Sequence, residues 1–215
     1  MRSSFKPPRF YPIIDTAVLA RTAFSAIDVA EEVAASGAGI LQYRHKDNWT
    51  QTNFDDAKTI AGICRQAGML FIVNDRADYA RLLGAGLHIG QDDLPPVAAR
   101  RVVLKSVIGF STHNATQLRR ACEEAADYLS LGPIFATQSK ARPDPIVGVD
   151  GLRALRILTG KALVAIGGIT LQNVEGVLAA GADSVAVISD ILPSDSSRPQ
   201  LREQLAEWLR ITKEL

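Results

Sequence analysis

The chain has 215 residues, 47% of them apolar and 22% charged, and a formal net charge of +1. That length suits one domain with a sizeable buried core, and so even a charge balance excludes a broad basic surface for nucleic acid or anionic lipid. No run approaches the ~20 apolar residues of a membrane span, and the first eight residues lack the apolar stretch of a signal peptide.

Cys64 and Cys122 are the only cysteines. Each falls in a helical pattern, and neither is spaced for a metal. The expectation is a soluble, cytoplasmic protein with two buried free thiols.

In chain order, short runs rich in β-branched residues alternate with helical patterns. Strands are expected over residues 10–15, 39–44, 70–74, 87–90, 107–111, 128–132, 163–167 and 184–188. Amphipathic stretches cover 26–35, 54–67, 115–125 and 174–180, and a last helix covers 199–212, packed on its own barrel or on a partner. Gly37, Gly68, Gly84 and Gly181 follow apolar helical turns, where a left-handed residue ends a helix. Strict alternation implies a parallel sheet covered by helices. Asp15-Thr16-Ala17 follows the first strand with no glycine, against an open nucleotide-binding sheet. Eight repeats favour closure. The fold class is α/β, a single (β/α)8 TIM barrel over residues 1–215. Residues 133–149 form the one long irregular segment, with Pro133, Pro143, Pro145 and Gly148. Its length and its Thr137, Ser139, Lys140 and Arg142 predict a mobile active-site loop, with a variable surface loop as the alternative.

The C-terminal ends of the strands build the active site in such barrels. On strand two, alternation puts Gln42, Arg44 and Lys46 on one face and Tyr43 and His45 on the other. Three polar groups facing the mouth suit an anionic ligand, and guanidinium and ammonium groups both suit phosphate oxygens. The bland alternative is a structural ion pair between Arg44 and an internal acid. Strand three ends in Asn74-Asp75, and Asp92 and Asp93 follow strand four. Asp75 and one of that pair can reach a common point, as a divalent cation such as Mg2+ requires. Alternatively, Asp93 before Leu94-Pro95-Pro96 caps the next helix. Ser111 sits at the end of strand five beside Asn114, a candidate N-cap. His88 and His113 read as structural, and His45 faces helices or solvent. Gly168 after strand seven and Ser189 after strand eight fall where this fold binds phosphate.

On the segments 42–46 (Gln-Tyr-Arg-His-Lys), 71–76 (Phe-Ile-Val-Asn-Asp-Arg), 90–93 (Gly-Gln-Asp-Asp), 132–137 (Gly-Pro-Ile-Phe-Ala-Thr) and 165–169 (Ala-Ile-Gly-Gly-Ile), the chain resembles the thiamine-phosphate synthases. The likeness runs from about Tyr11 to Ile191. It implies a transferase that condenses hydroxymethylpyrimidine diphosphate with a thiazole phosphate, giving thiamine phosphate and diphosphate. It implies that Gln42, Arg44 and Lys46 hold the pyrimidine substrate, with Asn74, Ser111 and Lys140 around its diphosphate. Asp75 and Asp93 would ligate Mg2+. Thr137, Ser139, Gly168, Ile188 and Ser189 would receive the thiazole phosphate. Lys140, Ser111 and Arg44 would act in catalysis, easing departure of the diphosphate from a cation-bearing pyrimidine. Partners would be these small molecules and, as a further possibility, a second copy of the chain. His45 stands where the family often has an acid, and Ser139 where threonine is common. The related thiazole tautomerase is the nearest rival. It keeps the phosphate loops but has little use for Asn74, Asp75 and Asp93 together.

Overall fold

The computed structural model describes residues 5–137, 144–193 and 197–214. Among these, eight parallel strands close into a barrel in sequence order: β1 (Phe10–Asp15), β2 (Ile40–Arg44), β3 (Leu70–Asn74), β4 (Gly86–Ile89), β5 (Ile108–Thr112), β6 (Tyr128–Leu131), β7 (Ala162–Ile166) and β8 (Ser184–Val187). The register aligns Asp15 with Arg44, Asn74 with His88, and Ser111 with Ser130. These polar positions therefore gather toward one end of the barrel.

The helices follow the strands: α1 (Thr16–Leu19), α2 (Ala26–Ser36), α3 (Gln51–Gln66), α4 (Ala77–Leu83), α5 (Pro96–Val103), α6 (Ala115–Cys122), α7 (Gly148–Arg156), α8 (Val174–Ala179) and α9 (Arg198–Glu214). Local chemistry sets their ends. Ser25 with Asp28, and Thr50 with Asn53, form reciprocal capping boxes at the starts of α2 and α3. Gly37 and Gly84 end α2 and α4 in the left-handed region, which costs a glycine nothing.

Period-two alternation splits the apolar residues into two layers. Phe10, Leu41, Tyr43, Phe71, Val73 and Leu129 face the helices within the larger core. Tyr11, Ile13, Ile40, Ile72, Tyr128, Val164 and Ala186 fill the barrel itself. Cys64 is buried and Cys122 half-buried, both free. Helix α9 packs on its own barrel, stacking Trp208 on Phe10 of β1 at 5.4 Å. No described helix is long and apolar enough to cross a membrane.

Of the expected loop, residues 138–143 lie outside the described residues, and Ser139, Lys140 and Arg142 with them. Both described flanks are tied down. Ile134 N donates to Ile166 O, Phe135 N to Gly167 O, and Val147 N to Pro133 O.

Candidate active site

Strand β2 sends Gln42 and Arg44 inward and Tyr43 outward, as alternation requires. Gln42 is buried and donates from Nε2 to Tyr11 Oη at 2.8 Å. Arg44 forms an ion pair with the buried Asp15, the last residue of β1. The internal-acid alternative for Arg44 thus has a concrete partner, which sequence reasoning missed. The same Asp15 accepts from Ala17 N and Val18 N at the start of α1. The guanidinium is held at the mouth by a carboxylate that is itself fixed. His45 turns away, to Thr16 Oγ1 at 2.7 Å and a T-shaped contact with the Trp49 ring.

Beyond the strand end, Lys46 Nζ reaches Asp75 Oδ2 at 2.5 Å. Asp75 sits at φ 63, a left-handed conformation that aspartate tolerates better than most residues. Its N–H donates to His88 O at 2.8 Å. Burial, and then the neighbouring Asp93 carboxyl within hydrogen-bonding reach, push the Asp75 carboxyl up to about 6 against the pull of Lys46. Asp93 does not cap α5, whose N-cap is Pro95 with no side-chain bond. Asp93 Oδ2 instead accepts from Gly90 N at 2.7 Å and closes its own turn toward Asp75. Asp92 is exposed. Among the described residues no group of three or more His, Cys, Asp or Glu clusters for a metal, so Asp75 and Asp93 stand as a pair.

Asn74 is buried, and among the described residues its Nδ2 is a donor without a partner, which suits a group that waits for a ligand oxygen. Ser111, on β5, lies 2.9 Å from His88 Nε2. Burial, together with Lys46 and Arg44 and against Asp93, pushes the His88 imidazole down to about 4. His113 holds Gly132 O from Nδ1 at 2.6 Å, a structural role. Asn114 caps α6 as expected, accepting from Gln117 N.

Across the mouth, a cavity of about 410 Å3 opens between the ends of β7 and β8. Thr137, Gly168, Ile188 and Ser189 all line it. Gly168 has φ 64, and a Cβ there would lie 2.5 Å from Ala136 O, so this turn admits only glycine without rearrangement. The cavity also reaches Gln200 and Gln204 of α9, which sequence reasoning did not include. Asp190, on its wall, is pushed up by burial while Leu171 N, Trp208 Nε1 and Gln204 Nε2 offset part of that.

The mouth thus has two halves. One carries Gln42, Arg44, Lys46, Asn74, Ser111, Asp75 and Asp93, and the other is a glycine-walled cavity. The thiamine monophosphate synthase family profile matches residues 10–191. The chain belongs to this family. A thiamine-phosphate synthase of Koribacter versatilis is 45% identical over 98% of this chain and 99% of its own length. One from Chloroflexus aurantiacus is 40% identical over 86% of each. The thiamine phosphate pyrophosphorylase of Pyrococcus furiosus, a solved structure, superposes with a TM-score of 0.83 at 30% identity, covering 97% of each chain.

Proposed function

We propose that this chain is a thiamine-phosphate synthase. It joins an aminopyrimidine methyl diphosphate to a thiazole phosphate, with loss of diphosphate. The carrying observation is the pairing of Asp75 with Asp93 beside Lys46 and Arg44, facing a separate glycine-walled cavity. A thiazole tautomerase has use for the cavity but none for the acidic pair.

The acidic pair fits Mg2+. Two adjacent carboxylates, one of them pushed up to about 6, oppose full ionisation unless a cation joins them. Asp75 and Asp93 would hold the ion. Bound there, it would supply charge neutralisation for the leaving diphosphate.

The chain's own residues do the rest. Arg44 and Lys46 offset charge as the bond between methylene carbon and diphosphate oxygen breaks, and the bond between thiazole nitrogen and that carbon forms. Gln42, Asn74 and Ser111 orient the pyrimidine diphosphate. Gly168, Ile188 and Ser189, with Thr137, hold the thiazole phosphate so that its nitrogen faces the carbon. Lys140 and Ser139, in the segment 133–149, complete this set on the strength of their place in the sequence. No protein nucleophile takes part. The free thiols and the absence of a spanning helix among the described residues fit a cytoplasmic setting.

The test mixes purified protein with both substrates and Mg2+ and follows thiamine phosphate. Formation of product by the native protein, its loss on chelation and return only with divalent ion, and its loss in Asp93→Ala with the circular dichroism spectrum unchanged are expected. Tautomerisation of the thiazole phosphate without condensation transfers the assignment to the rival.

A further inference from the structure

The centre of the barrel holds a line of hydrogen bonds that the synthase reading leaves unused. Gln42 Nε2 donates to Tyr11 Oη at 2.8 Å, and Tyr11 Oη lies 2.9 Å from Tyr128 Oη. Tyr128 Oη is 2.9 Å from His88 Nδ1, and His88 Nε2 is 2.9 Å from Ser111 Oγ. Ser130 Oγ donates to the same Ser111 oxygen at 3.3 Å. Tyr11, Gln42, Tyr128, His88 and Ser130 are all buried, whereas Ser111 is half-open to the mouth. The line therefore runs across the barrel from β2 to β5 through side chains that, among the described residues, bond to one another.

Satisfying every buried proton orders the line. The amide N–H of Gln42 occupies a lone pair of Tyr11, so the Tyr11 proton goes to Tyr128. The Tyr128 proton then goes to His88 Nδ1, the remaining acceptor beside it. The imidazole must carry its proton on Nε2 and give it to Ser111 Oγ. With His88 and Ser130 both donating, the two lone pairs of Ser111 are filled and only its proton is free. A reversed line would need the Gln42 amide turned over, Oε1 accepting from Tyr11, and would put the imidazole proton on Nδ1, so the two orders differ in a proton that can be observed.

We propose that His88 is a positioning residue whose Nε2–H fixes Ser111 as a hydrogen-bond donor into the mouth, where it meets an anionic oxygen of the diphosphate. The identity of that acceptor rests on the synthase reading; the proton order does not. The arrangement separates Ser111 from an activated nucleophile despite the adjacent histidine. An imidazole that donates at Nε2 cannot take the serine proton, and Nδ1 meets a phenol rather than a carboxylate. A fixed donor strengthens as charge builds on the departing oxygen and needs no reorientation at that moment. Gly109 makes the line possible, because a Cβ there would overlap both the Tyr128 ring and the His88 imidazole.

The ligand-free protein labelled with 15N-histidine tests the order directly. The sequence has three histidines, so His45→Gln and His113→Gln variants identify the ring signals of His88 by elimination. A proton on Nε2 with Nδ1 bare is expected, and a proton on Nδ1 alone overturns the proposal. Kinetics give the second reading. His88→Gln, which keeps an N–H toward Ser111, should stay within about 3-fold of the native kcat. His88→Leu should lose about 10–100-fold, as Ser111→Ala does, with KM for the thiazole phosphate unchanged. Adding Ser111→Ala to His88→Leu should cost less than about 2-fold more, because both remove one interaction. A folded His88→Leu with native kcat, or losses that multiply, overturns the proposal. If His88→Leu does not fold, the ring signals of the native protein decide. If the native protein forms no thiamine phosphate, the synthase reading falls while the proton order is still measured.

Discussion

Asp75 concentrates the electrostatics of the mouth in one carboxyl. It is moved from 3.8 to about 6, chiefly by burial. An acid whose folded value is raised costs stability once ionised. That cost is absent below pH 4, grows from pH 4 to 6, and is complete above pH 6. At about 1.4 kcal/mol per pH unit, less a discount for its solvent-facing edge, the penalty is about 2 kcal/mol. Asp75→Asn, which keeps the size and tolerates the left-handed backbone, should therefore be more stable than the native chain by about 2 kcal/mol at pH 7.5 and equal at pH 4. Urea melts at the two pH values measure this, and a gain of the same size at both would assign the effect to packing. Adding Mg2+ at pH 7.5 should stabilise the native chain and leave Asp75→Asn unchanged, since binding to the folded state alone adds stability. The polar set at the strand ends was legible because inward positions recur every second residue. The partners of that set were not. Asp15 lies 29 positions from Arg44, and nothing in either segment says that β1 and β2 are neighbours in that register.

At the scale of elements, strands proved easy and the glycines between them informative. The expected run 70–74 coincides with β3 and 10–15 with β1, while 87–90 and 107–111 are each displaced by one residue from β4 and β5. Ends drift because a strand's last residue is fixed by its neighbour's ladder, which one chain segment does not encode. The start of α3 at Gln51, three residues before the apolar pattern begins, has the same kind of cause, since the Thr50 capping box recruits polar residues into the first turn. The turn after β7 makes the sharpest prediction at this scale. Gly168→Ala must hold φ 64 and place a Cβ 2.8 Å from that of Phe135. It should cost about 1–3 kcal/mol and raise KM for the thiazole phosphate about 10-fold or more, leaving KM for the pyrimidine diphosphate within about 2-fold. Equal rises in both KM values would show that the two halves of the mouth are not separate subsites.

Across the whole molecule, α9 fastens the closing seam of the barrel to the cavity between the ends of β7 and β8. The sequence left open whether this helix packs at home or on a partner, because its apolar stripe suits either surface. It packs at home: Arg202 pairs with the buried Glu32 of α2 at 2.6 Å, and Trp208 stacks on Phe10. Trp208 Nε1 also donates to Asp190 Oδ2 at 3.1 Å, beside the cavity. One side chain thus serves packing and the charge state of a site-facing acid, and two substitutions separate these roles. Trp208→Ala removes the fully buried ring and should cost about 3–5 kcal/mol at any pH. Trp208→Phe keeps most of the stack and removes only the N–H. The Asp190 carboxyl, already pushed up by burial, then loses one of the donors that hold it down. The ionised form suffers and the protonated form does not. The loss should be about 1 kcal/mol at pH 7.5 and shrink as the acid protonates toward pH 4. Denaturant melts of both variants across that range make the comparison. A Trp208→Phe loss that stays constant with pH would reduce Trp208 to a packing residue and leave Asp190 to be held by Leu171 and Gln204 alone.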